Sequence, residues 1–207
     1  VSLASETPSF TEVDGDSAVA TNSVVINDTV SLEDLDGGVS TSTVTVTNAM
    51  ADDELLFTNT ADIQGSSNYD SGTNTLTLTL SPVAGQSPTT SDFQAALRTV
   101  EYNNTSEDPD ETARTVEFSV SDGTDTSDPV ASQAVTVNAT NDTPAISLTS
   151  GSPSFDEGDG DSAVGTDLVV INDTVLLEDP GGGVSTAAGT VTTATGDDEV
   201  LFFDVLL

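Results

Sequence analysis

Apolar and polar residues alternate along much of the chain with a period of two. In TLTLTL (75–80), Leu76, Leu78 and Leu80 fall on one side of an extended strand and the threonines on the other. The same alternation runs through SVVIN (23–27), STVTVTN (42–48), RTVEFSVSD (114–122) and SQAVTVNAT (132–140). Val, Ile and Thr supply most of these positions, and β-branched residues suit a pleated, half-buried surface. Gly, Asp, Asn, Ser and Pro separate the segments, as turns require. The pattern predicts an all-β fold, an antiparallel sandwich with Greek-key connections. One stretch breaks the period. In TTSDFQAALRTV (89–100), Phe93, Ala96 and Leu97 share a helical face, and Thr90 or Ser91 can cap it. One or two helical turns are expected there, ahead of a strand at RTVEY (98–102), with the apolar residues in the core.

The pattern also repeats at long range. FTEVDGDSAV (10–19) returns as FDEGDGDSAV (155–164), and VVINDTV (24–30) returns unchanged at 169–175. A shift of 145 positions aligns Val1–Phe57 with Ile146–Phe202 without a gap, and 38 of those 57 positions are identical. Similarity by composition would not hold one register over that length, so the chain carries a tandem duplication. The boundaries it implies are a first sandwich repeat over 1–144 and the first half of a second over 145–207. The second repeat reads as incomplete. It is expected to be completed either within a longer array or by strand addition from an identical subunit, head to tail.

Composition narrows what such a chain can do. It holds 36 acidic residues against two basic ones, a formal net charge of −34. No basic patch exists for nucleic acid or anionic lipid. Multivalent cations, or concentrated salt, fit this charge. Cysteine and histidine are absent, which excludes thiolate zinc sites, thiol catalysis and disulfides. No apolar run approaches the ~18 residues of a membrane span. No histidine base serves the serines, no Trp and only two Tyr could stack a sugar beside a carboxylate pair, and no glycine-rich loop opens a helix to hold phosphate. The chain reads as a non-enzyme.

The acidic residues cluster in short spacings: Asp14-Gly15-Asp16, Asp34-Leu35-Asp36, Asp108-Pro109-Asp110, Asp122-Gly123 and Asn141-Asp142. Hard divalent cations take six to eight oxygens, and such spacings offer two ligands to one ion. Each also reads as a solvated turn, since Asp and Asn favour turns. Asn27 and Asp28 in INDT are open to either reading. Sequons stand at Asn27, Asn103, Asn104, Asn138, Asn141 and Asn172, of which Asn27 and its repeat-mate Asn172 are the first candidates for glycosylation.

ATNDTPAISL, the Glu of SFTE, LEDLDG, ALRTVEYNNTSEDP and RTVEFSVSDGT together resemble bacterial cadherin-like repeats of large repetitive surface proteins and adhesins. The resemblance implies an Ig-like sandwich and Ca2+ at each junction between repeats. It implies Glu12 as the ligand from the first strand, Asn141 and Asp142 from the linker, and Asp179 from the downstream repeat. By the same carry-over Asp34, Asp36 and Asp122 face the preceding junction, and Glu157 the following one. EDPGGG replaces EDLDGG in the second repeat, so Asp179 has Gly181 where Asp36 stands in the first. Fewer carboxylates there imply fewer ions or weaker binding. The function expected is a calcium-stiffened adhesin stalk or extracellular filament subunit, secreted or on the cell surface, meeting neighbouring repeats and a cell-surface or glycan target. Two alternatives stand beside it: a carbohydrate-binding accessory module, and a salt-adapted surface-layer domain without a specific ion.

Overall fold

The computed structural model describes residues 1–13, 22–33, 38–128, 130–148, 153, 175–178, 186 and 188. The chain divides into two compact units, Val1–Thr143 and Pro144–Leu207. Among the described residues the fold is all-β with one short helix.

In the first unit the strands are β1 (Ser9–Thr11), β2 (Val24–Val25), β3 (Thr41–Val46), β4 (Asp53–Leu56), β5 (Ile63–Asp70), β6 (Thr75–Pro82), β7 (Glu101–Asn104), β8 (Arg114–Ser121) and β9 (Ala131–Asn138). They form a six-stranded sheet in the order β1-β9-β8-β3-β6-β5 and a three-stranded sheet in the order β2-β7-β4. Alternation decides which face turns inward. Val44 sits between Leu78 on β6 and Phe118 on β8, all three buried, while Thr43 beside it pairs with Thr79 and Ser119 on the outer face. Leu76, Leu78 and Leu80 are buried as their spacing predicts, each contributing about 2 kcal/mol of apolar burial. From the smaller sheet Leu55 and Tyr102 close the core, and the Tyr102 ring meets Phe10 of β1 edge to face at 5.6 Å.

The expected antiparallel pairing holds for each named strand pair but one. β1 runs parallel to β9, in the register Ser9↔Thr136 to Thr11↔Asn138. It enters at the sheet edge alongside the last strand, and the Asn138 amide ties it down, donating to Ser9 Oγ at 2.8 Å and to the Phe10 carbonyl at 2.9 Å.

The helix α1 (Thr90–Leu97) lies between β6 and β7 and buries Phe93, Ala96 and Leu97. Its cap is Thr89, not Thr90 or Ser91. Thr89 Oγ1 accepts from the Asp92 amide, and the Asp92 carboxylate accepts from the Thr89 amide, so two otherwise unpaired donors are satisfied reciprocally. Those bonds from Thr89 hold the Asp92 carboxyl below its ordinary value.

In the second unit β10 (Ala145–Leu148) pairs antiparallel with β11 (Val175–Glu178), placing Ser147 opposite Leu176. In the first unit Ser2 bridges Ser31. The same 145-residue shift that aligns the sequences carries Ser2 to Ser147 and Ser31 to Leu176, so both segments pair in one register. Among the described residues, no helix is long and apolar enough to cross a membrane.

Candidate metal centre

Three carboxylates meet in the first unit. Glu12 follows the last residue of β1 by one position. Asp142 lies four residues past the end of β9. Glu107 belongs to the loop 105–113 between β7 and β8. One carboxylate oxygen from each lies within 4.8 Å of the other two. Glu12 and Asp142 are buried, at 6 % and 2 % exposure, and Glu107 is half-buried.

The parallel β1–β9 ladder explains why Glu12 and Asp142 are neighbours, since parallel strands send their following residues the same way. The ladder continues through the Glu12 amide, which donates to the Asn138 carbonyl at 2.9 Å. Thr140 then fixes Glu12 twice. Its amide donates to Glu12 Oε2 at 3.0 Å, and its hydroxyl donates to the Glu12 carbonyl at 2.8 Å. Burial pushes the Glu12 carboxyl above its ordinary value. The bonds from Thr140 oppose this, and the charges of Asp142 and Glu107 add to it.

Both basic side chains of the chain are engaged elsewhere. Arg98 donates through Nε to the Val30 carbonyl at 2.8 Å. Arg114, fully buried, donates through Nε to Asp53 Oδ2 at 2.7 Å. Neither guanidinium is therefore placed to neutralise the three-carboxylate centre. The donor set is oxygen only, which suits a hard cation and excludes a soft one. Oxygens about 2.3–2.6 Å from a calcium ion stand up to about 5 Å apart across it, so a 4.8 Å spread is accommodated.

Of the residues the sequence singled out, Glu12 and Asp142 come together. Asn141 beside them is exposed, and its amide Nδ2 donates to the Asp142 carbonyl at 2.8 Å. Asp122 is in a turn, where Oδ1 accepts from the Thr124 and Asp125 amides at 2.7 and 2.8 Å. Those bonds hold its carboxyl below the ordinary value. Asp14, Asp16, Asp34, Asp36, Glu157 and Asp179 lie outside the described residues. Glu107 was not singled out: the Asp108-Pro109-Asp110 spacing drew attention one residue too far along. Asp110 instead accepts from the Thr112 amide.

Asn27 has a structural role. Its side chain is fully buried, donating to Gln133 Oε1 at 2.5 Å and to the Ala4 carbonyl at 3.2 Å, while Oδ1 accepts from the Thr29 amide at 3.0 Å. A glycan on that amide would have to displace these bonds, so Asn27 is not a glycosylation site of the folded unit. Asn103 and Asn104 are buried as well. Among the described residues no exposed aromatic platform exists: Tyr102, Phe10, Phe93 and Phe118 are buried, and Tyr69 and Phe57 pack partly buried against the core. A comparison of the chain with protein-family models, with curated proteins and with solved structures finds no match.

Proposed function

We propose that this chain is a structural module of an extracellular surface protein, a cadherin-like repeat stiffened by calcium where one copy hands over to the next. The observation that carries the reading is the meeting of Glu12, at the end of the first strand, with Asp142, at the start of the linker, and with Glu107. A cation held by all three would fasten the first strand, a loop and the outgoing linker to one point. Without it, three like charges, two of them buried, push those segments apart. The repeated register of Ser2–Ser31 and Ser147–Leu176 supports a second copy of the same module. Affinities of about 10⁻⁴–10⁻³ M are usual for extracellular calcium modules and fit a site with three carboxylates. The role that follows is mechanical: an adhesin stalk or filament body whose joints are rigid in calcium-containing fluid.

The test is thermal unfolding of the chain with calcium titrated against chelator at fixed ionic strength, alongside Asp142→Ala. Calcium at about a hundred times its dissociation constant is worth about 2.7 kcal/mol, a rise in the melting midpoint of roughly 10 °C for a unit of this size. The variant should need far more calcium for the same rise. If sodium chloride stabilises as well as calcium does, the net charge of −34 is a matter of screening and the salt-adapted reading replaces this one.

A further inference from the structure

Glu107 reaches the centre on a loop whose two stems are fixed to one buried carboxylate. Asn104, the last residue of β7, donates through Nδ2 to Asp53 Oδ1 at 2.7 Å. Arg114, the first residue of β8, donates through Nε to Asp53 Oδ2 at 2.7 Å. Both side chains then turn back onto the loop. Asn104 Oδ1 accepts from the Ser106 amide at 2.8 Å, and Arg114 Nη1 donates to the Thr112 carbonyl. The Thr105 amide donates to the Asp52 carbonyl at 2.9 Å, adding a bond to the residue before Asp53. At the far side Glu111 Oε1 accepts from the Ala139 amide at 3.3 Å, joining the loop to the segment that carries Asp142. Tyr102 completes the cluster, its hydroxyl donating to Asp53 Oδ1 at 2.5 Å.

A buried ion pair is a poor way to gain stability, because desolvation offsets most of the attraction. A rigid guanidinium bonded through Nε to the carboxylate and through Nη1 to the loop, with an amide on the same carboxylate, does supply geometry. Here that geometry is spent on the loop, and one of only two basic residues in the chain is used for it.

We infer that the Asp53–Tyr102–Asn104–Arg114 cluster is a positioning device for Glu107, setting the cation affinity of the Glu12–Glu107–Asp142 centre from inside the sandwich. This rests on the metal reading above. Asn104 is the direct link, because it alone joins Asp53 to the loop's first turn while leaving the ion pair intact. Coupling is reciprocal, so filling the centre also acts on the cluster. Tyr102 reports that, since its hydroxyl is bonded to Asp53.

The experiment uses the full chain with Tyr69→Phe, so that Tyr102 is its only tyrosine, and calcium chloride as the probe at fixed ionic strength. Tyr102 emission should change with calcium, at the midpoint at which calcium raises the melting temperature. Asn104→Ala should weaken calcium binding about tenfold, the effect usual for a residue that orients a ligand. With Glu107→Gln already present, the same change should add little, because Asn104 acts through that carboxylate. An equal loss with and without the Glu107 carboxylate would reduce Asn104 to general support and overturn the inference. If Asn104→Ala fails to fold, emission from the intact cluster decides: a flat signal across a titration that raises the melting temperature overturns it. A wild-type chain that takes up no calcium would remove the metal reading itself, a distinct result that takes this inference with it.

Discussion

Replacing Asp53 with alanine isolates the buried cluster without reference to any metal. Asp53 is 4 % exposed and accepts four hydrogen bonds, from Arg114 Nε, the Tyr102 hydroxyl, Asn104 Nδ2 and the Met50 amide. Burial pulls the Arg114 guanidinium toward releasing its proton, but the bond and charge of Asp53 outweigh it and hold the group more firmly protonated than usual. Burial also drives the Tyr102 hydroxyl well above its ordinary value, reinforced by the bond to Asp53, so it stays a neutral donor. Alanine at position 53 leaves a fully buried cation without its buried counter-ion, with only the half-exposed Asp110 carboxylate, 3.8 Å from Nη1, still facing it. Breaking a buried pair from one side costs about 3–5 kcal/mol. For a unit of this size about 3 °C is lost per kcal/mol, so the melting midpoint in chelator should fall by about 10–15 °C. Urea denaturation of the chain, followed by far-ultraviolet circular dichroism, measures the same loss. The double replacement Asp53→Leu with Arg114→Met should cost much less than the single one, because no unpaired charge remains. A single-variant loss below about 1 kcal/mol would refute the reasoning, since it would mean that water or the Asp110 carboxylate makes good the lost partner.

The raised Glu12 carboxyl gives a signed dependence on pH. A carboxyl whose value rises on folding binds its proton more readily in the folded state, so the stability it contributes is present at and below its ordinary 4.5 and is lost as pH rises through its folded value. In chelator, the stability of the wild type minus that of Glu12→Gln should therefore shrink as pH rises above 4.5, and a constant difference would contradict the burial of this group. The lowered carboxyls of Asp92, Asp110 and Asp122 act oppositely, losing stability as pH falls through their folded values, but they are common to both chains and cancel. On β5, a Cβ at Gly65 would lie 2.9 Å from Phe57 Cδ1, 3.2 Å from Leu78 Cδ1 and 3.3 Å from Leu80 Cδ2. Gly65→Ala should cost about 1–3 kcal/mol by overpacking, and a neutral result in urea denaturation would show that the Phe57 ring gives way freely.

The strands legible in the sequence were mainly those with one buried face and strict alternation, namely β3, β6, β8 and β9, together with SVVIN and RTVEY, which overlap β2 and β7. The opening edge strand and β5 were not, for a physical reason. β5 reads IQGSSNYD, with Ile63 its one aliphatic residue, because an edge strand packs little and inserts Gly65 where the core has no room for a side chain. The helix was legible from Phe93, Ala96 and Leu97. Its cap was not assigned correctly, although Thr89-x-x-Asp92 carries the capping-box spacing. Glu12 and Asp142 were named from the resemblance to cadherin-like repeats. Glu107 was hidden because a run of acidic residues gives no sign of which one the loop turns inward. Nothing in the sequence singled out Asp53 or Arg114. Only the fold reveals that they lie opposite each other across 61 residues, sealed from water.

The parallel pairing of β1 with β9 determines how the module bears a load. The chain enters this pair at one end and leaves at the other, so tension along the chain slides the two strands past each other. The bonds from Thr136 to Pro8 and from Glu12 to Asn138, and the side-chain clasp of Asn138, are then strained together rather than one after another. Glu12 and Asp142 stand just past the exit end of the same pair, and an ion there acts as a bolt across the sliding surface. Force that would peel open a hairpin must here shear an entire seam at once and, with the proposed ion bound, withdraw that bolt as well.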